Sequence, residues 1–363
     1  MNESAVHPVL LAIRLVPLPA VLLWTLLTQT TAAHNRDKTV KRILADKFLQ
    51  YLLARLPVTV TETTFDVYHR WARKSGNPVV VDELGDDARL LWLTEKRPGE
   101  DVLLVFHGGA YILPAPDFAL SFWRYIGDRV SEHGTGMSVV MLNYTLAPTR
   151  TFPAQLNQAR LALEFLINSG LHAQQIHVAG DSAGGNLALQ LMSHMLHPHP
   201  DVPRLQLPPN QTLGGLYLLS PSTALGTARP SWKSNAPYDY MPVSKVPADD
   251  GATIRATLGV PPEYIPFAEP SRVPDDWFNG LEALVDYALV TAGSHEVMRD
   301  DIVFFADVLK KQSKLEVEMF VQSGGVHVDM ALDFLVRETR RERLSSVTAL
   351  FIERLATRVN ASL

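Results

Sequence analysis

The sequence predicts an α/β protein whose sheet is mostly parallel and covered by helices on both faces. Three observations carry this. Short apolar runs alternate with helical patterns from about residue 89 onwards, one stretch (221 to 280) breaks that rhythm, and a glycine-flanked serine stands where a strand hands over to a helix. Strands separated by helices cannot close as hairpins, so they lie parallel and bury both faces of the sheet. Ligands of such sheets bind beyond the carboxyl ends of the strands, so the chemistry is expected in the loops just after them.

In chain order, Arg89 to Leu93 and Val102 to Phe106 read as strands, with a turn at Arg97-Pro98-Gly99 between them. Phe118 to Val130 reads as a helix, Ser138 to Leu142 as a strand, Ala154 to Ile167 as a helix and Ile176 to Ala179 as a strand. A helix from Ser182 to about Met195 follows, then a strand over Leu213 to Leu219. Pro221 to Gly280, rich in Pro and Trp and weak in periodicity, reads as an insertion. Beyond it come the strand Tyr287 to Thr291, the helix Met298 to Lys311, the strand Leu315 to Val321 and a long helix from about Asp329. Ahead of the alternation, Asp37 to Leu56 carries Ile43, Leu44, Phe48, Tyr51, Leu52 and Leu56 at helical spacing.

The chain divides into an apolar segment, 1 to 30, and one domain, 31 to 363. From Pro8 to Thr28 it is nearly all apolar, interrupted by Arg14, Pro17 and Pro19. A spanning helix wants about 20 apolar residues without a central charge. A cleaved signal wants a positive start, which Met1 to His7 lacks, although Ala32-Ala33 offers a cleavage site. A membrane anchor, a helix lying in the membrane interface and a greasy helix packed on the domain all remain open.

Of the 363 residues 47% are hydrophobic and 20% charged, ordinary for a chain with a sizeable core. The net charge of −5, with both signs mixed along the chain, argues against nucleic acid as a partner. The absence of cysteine excludes disulfides, thiolate catalysis and cysteine-ligated zinc. No phosphate-cradling loop or cofactor motif is visible, so no cofactor is expected. The run His194-Met195-Leu196-His197-Pro198-His199-Pro200 is read as an exposed loop rather than a metal site, because of its two prolines and its place at a helix end.

Gly180-Asp181-Ser182-Ala183-Gly184 follows the strand Ile176-His177-Val178-Ala179 and opens a helix. A turn this tight needs small residues two positions either side of the serine, whose hydroxyl then stands exposed at a helix N-terminus. His107-Gly108-Gly109-Ala110 ends another strand, and its glycines let backbone N–H groups approach a carbonyl oxygen. Gly108, Gly109 and Ala183 are the expected oxyanion donors. His107 is expected to hold this loop rather than to act as a base.

His327, the only histidine beyond residue 295, follows the strand Leu315 to Val321 across Gly324-Gly325 and is the expected base. Glu296 is the first carboxylate past the strand that ends near Ala292-Gly293, and is the expected acid. Asp286 lies at the wrong end of that strand. Asp300 is the alternative acid, though it and Asp301 fall in the first turn of a helix, where capping is the simpler role. His295 is read as a solvated loop residue. Tyr111, directly after the oxyanion loop, is expected to line the substrate site. Trp123, Trp232 and Trp277 fit a pocket or a core equally well.

These motifs, together with Tyr144 to Ala154 and Glu296-Val297-Met298-Arg299-Asp300-Asp301, resemble the hormone-sensitive-lipase branch of the α/β-hydrolases, over about residues 90 to 335. The resemblance implies the α/β-hydrolase fold, with an eight-stranded sheet and a helical cap over the site, here built from about 31 to 75 and 221 to 280. It implies a serine esterase working through an acyl-enzyme. Two departures are Glu296, where the branch more often has aspartate, and Ala110, where many members have a third glycine. The apolar N-terminus, the His-Gly-Gly-Ala-Tyr form and Gly-Val-His-Val-Asp are similar to the fungal steryl acetyl hydrolase group. That implies a short acyl group on a small lipophilic, sterol-like or natural-product ester. It also implies membrane association at the endoplasmic reticulum, with a cytoplasmic placement as the alternative. An acyltransferase or cyclase would use the same triad, and a receptor of the same fold is a further alternative.

Overall fold

The computed structural model describes residues 13–361, apart from 57–59, 61, 134–135, 227 and 339–344. Part of the apolar segment from Pro8 therefore lies outside the described residues.

Eight strands form one sheet: β1 (Val81–Gly85), β2 (Ala88–Trp92), β3 (Asp101–Phe106), β4 (Met137–Asn143), β5 (Ile176–Asp181), β6 (Gly215–Leu219), β7 (Tyr287–Gly293) and β8 (Glu316–Gln322). Their order is β1-β2-β4-β3-β5-β6-β7-β8. The first two pairings, β1 with β2 and β2 with β4, are antiparallel, and all the others are parallel. Along each strand alternate side chains face opposite ways, and two separate cores result. Leu104, Phe106, Val140, Val178, Leu218 and Val290 face one side, and Leu103, Val105, Val139, Ala179, Tyr217 and Leu289 the other.

The helices are α1 (Leu18–Thr28), α2 (Val40–Arg55), α3 (Thr64–Ser75), α4 (Asp117–Ser131), α5 (Ala154–Asn168), α6 (Ala183–Leu196), the short α7 (Ser231–Ser234), α8 (Ala252–Leu258) and α9 (Ile265–Ala268), then α10 (Arg299–Gln312), α11 (Asp329–Leu335) and α12 (Ser346–Ala361). α5, α6 and α10 cover the first face through Leu163, Leu191 and Phe305. α3, α4 and α12 cover the second through Trp71, Trp123 and Phe351.

Three elements differ from the sequence expectation. The long helix from Asp329 is two helices. α11 stops at Leu335, Arg337 takes a left-handed φ of +54°, and α12 begins at Ser346. The Glu338 N–H donates back to the Asp333 carbonyl at 2.9 Å around left-handed Arg337, a bonded helix end of the Schellman type. β1 was not expected, because Val81-Asp82-Glu83-Leu84-Gly85 is an edge strand with only two apolar residues. Nor was α3, although Thr63 and Asp66 form a capping box at its start and Gly76 a left-handed cap at its end.

The histidine run is not an exposed loop. His194 and His199 are buried. The His199 N–H donates to His194 Nδ1 at 3.0 Å, and His194 Nε2 bonds the Pro203 carbonyl at 2.9 Å. These bonds occupy both ring nitrogens of His194. Trp123 and Trp232 are core residues, the latter donating from Nε1 to Asp301 at 2.8 Å, and Trp277 stacks on His197.

At the N-terminus α1 is apolar all round and buries only Thr25, while Val16, Leu23, Trp24 and Leu27 are exposed. No helix among the described residues is long and apolar enough to cross a membrane. Next to it, α2 docks on α11 through buried Arg42, whose guanidinium bonds Asp46 at 2.6 Å, Asp329 at 2.6 Å and Asp333 at 2.7 Å.

Candidate active site

Ser182 stands between β5 and α6 with φ +53° and ψ −120°. Holding a serine there costs on the order of 1–3 kcal/mol, which its surroundings must outweigh. They do so by backbone bonds. The Ser182 N–H donates to the Leu219 carbonyl at 3.0 Å, and its own carbonyl accepts from Ser222 at 3.0 Å and Asn186 at 3.1 Å. The flanking glycines are steric necessities, since a Cβ on Gly184 would overlap the Phe106 carbonyl and one on Gly180 the Gly184 carbonyl.

The loops after β5, β7 and β8 bring three side chains into one line. His327 Nε2 lies 2.9 Å from Ser182 Oγ, and His327 Nδ1 lies 2.7 Å from Glu296 Oε1. Glu296 is wholly buried. Its other oxygen, Oε2, accepts from the Gly293 N–H at 2.9 Å and from Ser220 Oγ at 2.8 Å. Asp300 is elsewhere, its Oδ2 accepting from the Ser231 N–H at 2.9 Å, so it holds the insertion and not the imidazole. His295 is half-buried rather than solvated, 5.8 Å from the ring of His34 and 4.8 Å from that of Tyr238.

Burial works against a charged His327, yet Glu296, Asp239 and Asp181 outweigh it and raise the imidazole above its ordinary value. His107 is the opposite case. Burial lowers it to about 4, so it is neutral. Its Nε2 meets Thr64 Oγ1 at 3.0 Å, its Nδ1 meets the Gly108 carbonyl at 2.7 Å, and Tyr144 stacks on its ring.

The loop after β3 turns through three successive left-handed residues, Gly109 at φ +119°, Ala110 at +54° and Tyr111 at +62°. The Gly108 N–H donates to Asp181 Oδ2 at 3.1 Å, which ties the loop to the serine turn. Among the described residues no such bond outside the helices and strands takes the N–H of Gly109 or Ala183. The Tyr111 hydroxyl donates to Asn186 at 2.8 Å and accepts from Gln190 at 3.0 Å. Its ring lines a small cavity with Ala147, Phe152 and Leu258.

Sequence reasoning missed three residues here. Ser220, at φ +47° after β6, bonds Glu296 and accepts from the Val328 N–H at 3.2 Å. Asn235 and Asp239, from the insertion, bond the loops that carry Glu296 and His327. Ser220 was findable as the polar residue ending a buried strand, but no pattern marks the other two.

A model of the alpha/beta hydrolase fold matches residues 103–331, a span containing the glycine loop after β3, the serine turn, Glu296 and His327. The chain belongs to the α/β-hydrolase family. This α/β hydrolase is 31% identical over 140 residues to an esterase of Gibberella moniliformis, covering 38% of this chain and 40% of that one. It is 33% identical over 98 residues to an acetyl-hydrolase of Streptomyces hygroscopicus, covering 27% and 31%. The matches thus span less than half the length of either relative. Among solved structures, it is similar to an esterase from the bacterial hormone-sensitive lipase family, with a TM-score of 0.62, 21% identity and coverage of 89% of this chain and 99% of that chain.

Such an arrangement can polarise a hydroxyl. A neutral imidazole accepts the serine proton at Nε2 while a buried carboxylate fixes its Nδ1–H tautomer. No group of three or more metal-ligating side chains occurs among the described residues.

Proposed function

We propose that the chain is a carboxylic ester hydrolase of the hormone-sensitive-lipase branch, working through an acyl-enzyme on Ser182. The observation that carries this is the unbroken relay from Glu296 through His327 to Ser182, with bonds of 2.7 and 2.9 Å, beside the N–H groups of Gly109 and Ala183, which no loop backbone bond among the described residues takes. In the first half-reaction His327 takes the Ser182 proton as Oγ attacks the ester carbonyl. The carbonyl oxygen becomes the oxyanion, which Gly109 and Ala183 receive. Gly108, bonded to Asp181 in this state, keeps the loop against the serine turn. Collapse of the adduct breaks the bond to the alcohol oxygen, which His327 reprotonates as it leaves. Water then repeats the sequence on the acyl-enzyme, giving up one proton to His327 and releasing the acid.

The substrate we infer is a lipophilic ester with a short acyl group on a sterol-like or natural-product alcohol. Similarity to an acetyl-hydrolase supports the small acyl group. The N-terminal helices and residues 221–280 act as the cap, and Tyr111 lines the acyl or alcohol side of the pocket. The apolar surface of α1, where Trp24 is 68% exposed, supports association with a membrane surface. Hydrolysis of short and long p-nitrophenyl esters by wild type and Ser182→Ala tests the core of this. The expected outcome is turnover that favours acetate or butyrate and is lost in the variant. A folded wild type without turnover, or a variant that keeps it, would overturn the proposal.

A further inference from the structure

The insertion between β6 and β7 reaches under the catalytic loops as well as over them. Asn235 Nδ2 donates to the Ser294 carbonyl at 3.1 Å and the Glu296 carbonyl at 2.7 Å. Asp239, fully buried, accepts the Val297 N–H on Oδ2 at 2.8 Å and the His327 N–H on Oδ1 at 3.3 Å. One carboxylate thus bridges the backbone of the loop that carries the acid and that of the loop that carries the base. Its own carbonyl accepts from Gln50 of α2 at 2.7 Å, so the bridge is fixed from a third element.

We propose that Asp239 is a positioning residue which holds the His327 and Glu296 loops in register and keeps the imidazole aligned on Ser182. This rests on the reading of Ser182, His327 and Glu296 as a triad. Oδ2 serves the Glu296 loop and Oδ1 the His327 loop, Oδ1 also accepting from the Met241 N–H of the insertion at 3.4 Å, and only an ionised carboxylate can accept all of these N–H groups without presenting a donor to one of them. A purely structural cap would need neither contact at the base. The two loops pair directly upstream, where the Ser294 N–H donates to the Gln322 carbonyl and the His295 N–H to the Gly325 carbonyl, both at 2.8 Å. Asp239 extends that tie to residues 297 and 327, next to the 2.7 Å imidazole–carboxylate bond, where misplacement by about 1 Å costs on the order of 100-fold in rate.

The charge of Asp239 enters as well. It faces His327 and Glu296, and Tyr240 beside it in the insertion is influenced in turn by Asp239, Glu296, Asp181 on the serine turn and Arg42 on α2. Burial pushes the Asp239 carboxyl up to about 6, despite His327, so it is ionised when His327 is working as a base. As pH falls, both groups take up a proton, and either event ends productive alignment. The acid limb of kcat/KM should therefore steepen towards a two-proton slope.

The test compares the full-length wild type with Asp239→Asn, Asp239→Ala and Ser182→Ala. It reads kcat and KM on p-nitrophenyl butyrate from pH 4.5 to 8, with active-site titration by a p-nitrophenyl phosphonate. Asparagine fits the space but accepts only one of the two N–H groups. We expect Asp239→Asn to titrate with one phosphonate per chain and to lose about 10- to 100-fold in kcat with KM within about twofold. Its acid limb should move to lower pH, because a negative charge that raises His327 is gone, and should fall to a one-proton slope. If Asp239→Ala does not fold, the asparagine variant still decides. A folded Asp239→Asn with kcat within twofold of wild type and the same limb would overturn the inference, as would a rise in KM alone. Ser182→Ala separates the two levels. If it is inactive and unlabelled, Ser182 stands as the nucleophile whatever Asp239 does, and if it keeps turnover, both readings fall.

Discussion

Two buried clusters of ionisable side chains meet at residues 326–329, and they differ in what they leave open. In one, Glu296 holds His327, and His327 holds a serine hydroxyl that is still partly accessible. In the other, Arg42 spends its guanidinium on Asp46, Asp329 and Asp333, and Lys38 adds a bond to Asp46 at 2.8 Å. Asp329 turns its remaining capacity to the Gln322 side chain at 2.6 Å and the Val326 N–H at 3.1 Å. The first cluster ends in a group with an unused reaction; the second is saturated. Density of buried charge therefore does not mark chemistry. An unfilled terminus does.

Removing that terminus gives the largest effect. We expect Ser182→Ala to lower kcat by about 10^4- to 10^6-fold with the melting temperature little changed, measured by ester hydrolysis and thermal unfolding. Next is Glu296→Gln, which keeps the shape but lets the imidazole adopt the wrong tautomer. A fall of about 10^3- to 10^4-fold in kcat is expected. Because Glu296 is the main group raising His327, the acid limb of the remaining activity should move to lower pH. A limb that stays in place would show that another carboxylate sets the imidazole.

The saturated cluster should answer in the opposite currency. Arg42→Met leaves Asp329 and Asp333 buried with only Lys38 near, and breaking a buried pair from one side costs about 3–5 kcal/mol. Denaturant unfolding should show that loss, while kcat per folded molecule stays within about tenfold. A variant that unfolds no more easily but loses activity as Glu296→Gln does would erase the distinction between the clusters.

How far each region was legible in the sequence follows the same division. The serine turn and the glycine loop after β3 are dictated by close sterics, and Gly108, Gly109, Gly180, Ser182 and Gly184 announce them. Glu296 and His327 were expected as acid and base from their place after β7 and β8, and the structure sets their side chains 2.7 Å apart. Asp300, the alternative, turned out to carry the insertion. What could not be read is what depends on long-range pairing. Arg42 meets Asp329 across 287 positions, and Asp239 meets His327 across 88. Neither has a local periodicity to betray it. The burial of His194 and His199 escaped for a related reason, since their partners are backbone groups of a loop whose path only the fold determines.

The smallest effect comes from a histidine that sits in the site without belonging to the relay. His107 is neutral because burial lowers it to about 4, and its Nε2 accepts the Thr64 hydroxyl, which itself accepts from the Ala115 N–H at 3.1 Å. Thr64→Val removes that hydroxyl at constant shape and leaves a buried acceptor and a buried donor unpaired, a cost of about 1–3 kcal/mol. Unlike any change at His327, it should leave the shape of the pH–rate profile alone above pH 5, since His107 does not titrate there in the folded state. The stability profile carries the sign. An unfolded histidine binds a proton near pH 6.5, whereas folded His107 does so only near 4. Its contribution is thus full above 6.5 and lost as pH falls towards 4, at about 1.4 kcal/mol per unit. Replacing His107 with Asn, which does not titrate, should flatten that part of the acid-unfolding curve. An unaltered curve would mean that the acid sensitivity lies in the carboxylates around Arg42 instead.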